Sequence, residues 1–224
     1  IQGFSRNVND AIHIAKSMFN VNYFLLLNPD IVLKNNILTP FIKMIDNNKE
    51  IGIIGPKLLN DDGSIQYSCR KFYSLKYVFI RMFRLNFIFG NKIENNILMK
   101  NFNHNEKSDV DWISGAAMFF NKEFLNKVGI FDDKNYFMYG EDIDWCYRIR
   151  EAGWKIYYTP TAKIIHFRGE SGRAVPLKVL YRKSKAMSIF VRKHMVHRYR
   201  FFPIWILHFA ITLYGLLRFA TNIL

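Results

Sequence analysis

Cysteine is nearly absent from this chain: Cys69 and Cys146 are the only two, and they do not have metal-ligand spacing. That excludes a disulfide scaffold and points to a reduced compartment. Acidic residues are scarce too, 18 against 32 lysines and arginines, and none follows Glu170. The net charge of +14 therefore comes mostly from ten basic residues between Arg173 and Arg218. No secretory signal peptide is visible. The chain opens on Ile1 rather than a methionine, in the middle of a motif-like segment, so a missing N-terminal piece is expected. Half of the residues are hydrophobic, which rules out a disordered tail and allows one α/β domain with an appendage.

The residues are organised as alternating helices and strands. A helix is predicted over 7–19, with Ile12, Ala15 and Phe19 on one face. YFLLLNPDIVL (23–33) holds an apolar run that fits a strand buried on both faces of a parallel sheet. Pro29 lacks the N–H that a central strand uses, so the ladder should stop there. Asp30 would then sit at a strand's carboxyl end, where open α/β sheets place their ligands. A plain Asn-Pro-Asp turn is the alternative at this point. A helix around 37–45 and a strand at 52–59 complete a βαβ unit. Asn60-Asp61-Asp62-Gly63 reads as hairpin chemistry, and 86–108, rich in Asn and Lys, as a surface loop.

VDWISGAAMFF (110–120) is predicted as one strand near the middle of the sheet, its Gly115-Ala116-Ala117 leaving room for a close neighbour or a ligand. In NYFMYGEDIDWCYRIREAGW (135–154), Gly140 breaks the chain and a helix runs from Glu141 to a stop at Gly153. Glu141, Asp142 and Asp144 favour the helix dipole, and Asp144 with Arg148 makes an i,i+4 pair. Asp142 shares the inward face with Cys146 and Ile149, and a carboxylate there needs a reason. Two short strands, 155–159 and 162–167, follow; His166 ends the second. A lone histidine beside apolar residues is usually a satisfied core or edge residue. Asp30, Asp142 and His166 nevertheless all fall at strand ends or a helix start around one sheet.

These stretches, with GFSRNVNDAI (3–12), IGIIGPKLLNDDGSIQYSCRKF (51–72) and YFMYGEDIDWCYRIREAGWKIYYTPTAKIIHFRGES (136–171), make the chain resemble the inverting family 2 glycosyltransferases. The likeness is to their bacterial rhamnosyltransferase-like members, which build surface polysaccharides. It runs in order over about residues 3–195, and it implies a GT-A fold, a Rossmann-like mixed sheet flanked by helices, without its N-terminal part. It also implies a nucleotide-sugar donor, a glycan or polyprenyl-linked acceptor, and a divalent cation, Mn²⁺ or Mg²⁺.

By position, LNPD occupies the place of the family's Asp-x-Asp metal motif, which makes Asp30 a metal ligand and puts Asn28 at the donor. Asn28 departs from the strict pattern. His166 would be the second ligand, and a neutral imidazole beside a carboxylate suits Mn²⁺ better than Mg²⁺. Glu141-Asp142 matches the catalytic acidic pair, with Asp142 as general base and Glu141 orienting the acceptor. Asn9 would lie near the donor, Trp112, Gly115 and Ala116 would line the sugar and acceptor pocket, and Ser171 and Arg173 would close on the diphosphate.

Residues 1–175 are read as the catalytic domain, and 176–224 as a basic helix leading into an apolar segment. FFPIWILHFAITLYGLL (201–217) is uncharged and at the lower limit for crossing a bilayer. With the basic block before it, a place on the cytoplasmic membrane face is expected rather than nucleic acid. Two rival readings are a glycoside hydrolase pairing Asp30 with Asp142 and a basic binding module without catalysis.

Overall fold

In the computed structural model, residues 2–82, 92–167 and 176–195 are described. The seven-stranded sheet is built on β3 (Ile51–Leu59) and β9 (Lys155–His166), which run parallel. β1 (Tyr23–Leu27) and β8 (Ala117–Asn121) extend it on one side in the order β1-β8-β3-β9. Both β1 and β3 pair antiparallel with β8, so they run in the same direction with β8 between them. The short strands β6 (Ser108–Asp109) and β2 (Ile31–Leu33) share the outer edge of β9, one on each half. β4 (Ile65–Gln66) closes the hairpin at the end of β3. A separate two-stranded sheet joins β5 (Cys69–Arg70) to β7 (Trp112–Ile113).

The pleat sends neighbouring residues to opposite faces, and each face has its own layer. Ile54, Phe119 and Ile164 meet Phe41 and Ile45 of α2 (Leu38–Asn47). Ile53, Phe120 and Ile156 meet α5 (Lys122–Val128) and α6 (Glu141–Glu151) on the other face, where the ring of Trp145 stands edge-on to Phe120 at 5.0 Å. α1 (Phe4–Met18) buries Ser5, Asn9 and Ile12 against that second layer. α3 (Leu75–Met82) and α4 (Lys92–Ile97) flank the small sheet. α7 (Pro176–Phe190) runs into a π-helical turn, Val191–Met195. Phe190, Val191 and Met195 join the same core as α6.

Several expectations change. The 110–120 segment is two strands in two sheets, because Ser114-Gly115-Ala116 leaves the ladder between them. The two strands expected after Gly153 are one, with a register shift opposite Pro56 and Lys57 marking where it bends. β1 is a partly exposed strand in antiparallel pairing, not a parallel strand buried on both faces; an apolar run does not encode the direction of its neighbour. α1 starts at Phe4 and leaves Phe19 61% exposed. The 86–108 stretch is no simple loop: α4 buries Ile97, and His104 is 5% exposed with Nε2 on Met99 O at 3.1 Å.

Candidate active site

The ladder of β1 stops at Leu27, as Pro29 requires. Asn28 N still reaches Ala116 O at 2.9 Å, and the chain then turns to pair β2 with the end of β9. Ile31 lies opposite His166, and Phe167 N donates to Asp30 O at 2.9 Å. This register carries Asp30 to His166, with Asp30 Oδ1 3.3 Å from His166 Nε2. Asn28 Nδ2 is 3.5 Å from the same nitrogen.

Gln66 fixes the imidazole. Its Nε2 donates to Asn60 Oδ1 at 2.9 Å and His166 O at 3.2 Å, so its Oε1 must be the atom 2.6 Å from His166 Nδ1. The Nδ1 proton is therefore given to Gln66, and Nε2 is turned toward the Asp30 carboxylate. Buried Oδ1 atoms of Asn28 and Asp30 have no hydrogen-bond partner among the described residues. A carboxylate, an imidazole held by an amide behind it and an uncommitted amide oxygen fit a divalent cation. No group of three or more His, Cys, Asp or Glu converges among the described residues, so the protein would supply few of the ligands.

The second constellation sits at the start of α6. Tyr139 (φ 73°) and Gly140 (φ 86°) turn the chain through two successive left-handed residues, a conformation costly for tyrosine. That elbow points the first turn of α6 at Ser114-Gly115-Ala116. Gly115 N donates to Asp142 Oδ2 at 3.1 Å, and Asp142 Oδ1 accepts from Ile143 N at 2.8 Å. A Cβ on Gly115 would lie 3.3 Å from Asp142 Cβ, a tight contact that glycine avoids.

Burial raises both carboxyl groups of the pair. Glu141, 7% exposed, is pushed up to about 8 by burial and then by the charge of Asp142. Asp142 is partly exposed; burial raises it, while the two N–H donors and the charge of Arg70 act against that. Both members of the pair therefore hold a proton to higher pH than an ordinary carboxyl group does. Because the folded-state value of Glu141 lies above the ordinary 4.5, its contribution to stability is complete below pH 4.5 and gone once pH passes about 8. Glu141→Gln is therefore expected to raise the midpoint of urea unfolding at pH 8.5, by a few kcal/mol in free energy, and to leave it nearly unchanged at pH 4.

Asp144, one turn into α6, is fully buried. Burial alone would raise it, but His194 Nε2 at 2.7 Å, Lys193 Nζ at 2.8 Å and Arg148 Nε at 3.1 Å hold it down at about 2. Lys193 also reaches Asp132 at 2.7 Å, and Arg148 caps the carbonyls of Val128 and Ile130. Ala186 of α7 packs on Gly140, where a Cβ would be only 2.8 Å away. The helix bearing Glu141 and Asp142 is thus braced by the chain that follows the sheet. The expected Asp144–Arg148 pair exists, and it belongs to a buried cluster.

The structure thus places Asn28, with Asp30 and His166 beside it, on Ala116 O, and Asp142, with Glu141 beside it, on Gly115 N. Gly115 and Ala116 form the partition itself. Two further expected site residues are buried, with their polar groups bonded to backbone. Asn9 is 3% exposed and spends its amide on the backbone of Phe131, donating to O at 2.9 Å and accepting from N at 3.1 Å. Trp112 is 4% exposed, with Nε1 on Lys71 O at 3.0 Å and Arg70 across its face. Ser171 and Arg173 lie outside the described residues, as does 201–217. Gln66, Arg70, Lys193 and His194 were not picked out by the sequence. A cavity of about 240 Å³ beside Lys43, Ile51 and Tyr157 lies at the other end of β9 and has no carboxylate in its lining.

A mixed sheet between helical layers, with an Asp–His pair at a strand end and an acidic pair at a facing helix start, defines a GT-A glycosyltransferase fold. The crystal structure of GalNAc-T7 with UDP, GalNAc and Mn²⁺ shares that fold, with a TM-score of 0.57 at 16% identity over 85% of this chain and 35% of that one. The family model "Glycosyltransferase like family 2" matches residues 1–186, and the chain belongs to that family. It is 31% identical over 179 residues to the rhamnosyltransferase WbbL of Escherichia coli, covering 78% of this chain and 64% of that protein. It is 26% identical to an N-acetylglucosaminyl-diphospho-decaprenol L-rhamnosyltransferase of Mycobacterium tuberculosis, covering 76% of this chain and 55% of that one. The chain therefore spans less than two thirds of the length of either relative.

Proposed function

We propose that this chain carries the catalytic part of a bacterial glycosyltransferase that moves a hexose, rhamnose by analogy with its relatives, from a nucleoside-diphosphate donor to a lipid-linked glycan. The observation that carries the proposal is the partition. Gly115 N holds Asp142, and Ala116 O, two peptide groups further on, holds Asn28. A donor whose diphosphate lies by Asp30 and His166 would present its anomeric carbon toward Asp142.

The residues then divide the work. An acceptor hydroxyl is a weak nucleophile, so Asp142 takes its proton as the oxygen attacks the anomeric carbon. The bond to the diphosphate breaks from the far side, which inverts the configuration. Protonated Glu141 donates a hydrogen bond that orients the acceptor. Asp30 and His166, with Asn28 beside them, would hold a divalent cation, which supplies Lewis-acid stabilisation for the leaving diphosphate. Gln66 keeps His166 Nε2 turned to that position.

The exposed Lys178, Tyr181 and Lys185 of α7, with Arg192 of the π-helical turn after it, support membrane association through anionic lipid headgroups. Among the described residues no helix is long and apolar enough to cross a membrane. A lipid-linked acceptor and the cytoplasmic membrane face follow from this reading and from the decaprenol-linked substrate in the name of the mycobacterial relative.

The test is release of nucleoside diphosphate by the full-length protein in membranes, with a panel of nucleotide sugars and lipid-diphosphate sugars. Release that requires both donor and acceptor supports the transferase; release from donor with water alone counts against it. In the same assay, Gln66→Leu is expected to raise the Mn²⁺ concentration for half-maximal rate about 10–100-fold. An unchanged Mn²⁺ titration would remove Gln66 from the cation site.

A further inference from the structure

Among the described residues, Arg70 is a charged residue beside the acidic pair that the proposed chemistry leaves without a task. It ends β5, and its cross-strand partner is Trp112 of β7. The guanidinium lies 4.8 Å above the Trp112 ring, and Nε donates to Tyr67 O at 3.1 Å. Trp112 is itself fixed by its bond to Lys71 O and by the edge of Tyr73, 6.2 Å away between ring centres. Among the described residues, neither terminal nitrogen of Arg70 has a hydrogen-bond partner, and no carboxylate pairs with it. A guanidinium ordered by stacking and one hydrogen bond, with its fork unused, is prepared for a bidentate anion.

Its position assigns the anion to one substrate. β7 continues through Ser114, whose N donates to Ser68 O at 2.9 Å, into Gly115, whose N holds Asp142. Arg70 therefore lies on the general-base side of the partition, and its charge is felt by Asp142. Asp30 and His166 are instead grouped with Asn28, whose N–H goes to Ala116 O. We propose that Arg70 binds the phosphate of the acceptor, the diphosphate that links its sugar to the lipid, and so selects charged lipid-linked acceptors over neutral glycosides. This rests on the transferase reading above and adds to it the charge of the acceptor and the residue that reads it.

The experiment compares wild type, Arg70→Met and Arg70→Lys as full-length proteins, with melting temperatures as the control for folding. Two acceptors carry the same sugar, one on farnesyl diphosphate and one on a neutral octyl chain. Arg70→Met is expected to raise KM for the diphosphate acceptor at least tenfold more than for the neutral one, and to leave donor KM unchanged. Arg70→Lys keeps the charge and should recover part of the loss. A raised donor KM would overturn the assignment in favour of the donor diphosphate, and an equal loss on both acceptors would overturn it in favour of an effect on Asp142. Direct binding of farnesyl diphosphate, measured by calorimetry against farnesol, separates the proposal from the transferase reading. If no nucleotide sugar is turned over but Arg70→Met weakens farnesyl diphosphate binding, the phosphate site stands and the transferase reading fails. Equal binding by wild type and Arg70→Met overturns the phosphate site.

Discussion

Asp142→Asn is expected to lower acceptor-dependent sugar transfer by about 10²–10⁴-fold, the usual contribution of a positioned base. The amide keeps the size of the carboxylate, and its oxygen can still accept from Gly115 N, which now holds Asp142 at 3.1 Å. What it loses is the ability to take a proton. The donor side should be untouched, so nucleotide binding and Mn²⁺ dependence stay as in wild type while kcat falls. The pH profile gives a second check. Burial raises Asp142 above the ordinary value, so the acidic limb of kcat for wild type should lie above pH 3.8. Glu141→Gln removes the neighbour that shares its proton and should move that limb. If Asp142→Asn turns over at the wild-type rate, the base is another group and the acidic pair serves only to hold the partition.

The second large effect concerns stability. Asp144→Asn is expected to cost about 3–5 kcal/mol, because Lys193, Arg148 and His194 then face a neutral amide in a site closed to water. Asp144 is held at about 2, below its ordinary 3.8, so its stabilising contribution is complete above pH 3.8 and disappears as pH falls through 2. Urea unfolding at pH 7 should therefore show the full loss, and the gap between wild type and variant should narrow toward pH 2. Combining Asp144→Asn with Lys193→Met should cost less than the sum of the two, since the second change removes a cation that the first has stranded. Additive losses would mean that the cluster does not act as a unit.

How far the sequence foretold this molecule depends on the length scale of each signal. β1 ends where Pro29 says it must, α6 lies between the two glycines that punctuate it, and the hairpin at Gly63 forms with φ of 80°. These are local rules and they held. Asp30 and His166 could be suspected one at a time, but their meeting depends on β2 pairing with β9 over 130 residues of chain, which no local pattern encodes. The family resemblance supplied that pairing where periodicity did not. Asp144 shows the opposite failure. Its i,i+4 spacing to Arg148 was read as a pair without being read as buried, although Ile143, Trp145, Cys146 and Ile149 of the same helix form a buried apolar face. That signal was available. The partners Lys193 and His194, fifty residues on and inside a basic run, were not recognisable as anything but charge.

The partition has a consequence for how such a protein can change. Asn28 and Asp142 are tied to two peptide units, one apart, of a single stretch of backbone, with no side chain at residue 115 between them. A drift of that backbone by a few tenths of an ångström would move both attachments at once. Adaptation to a new sugar on one side therefore disturbs the fit on the other, and substitutions that succeed should arise in pairs or fall on outlying loops. A lineage could diversify its substrates around this wall far more readily than through it.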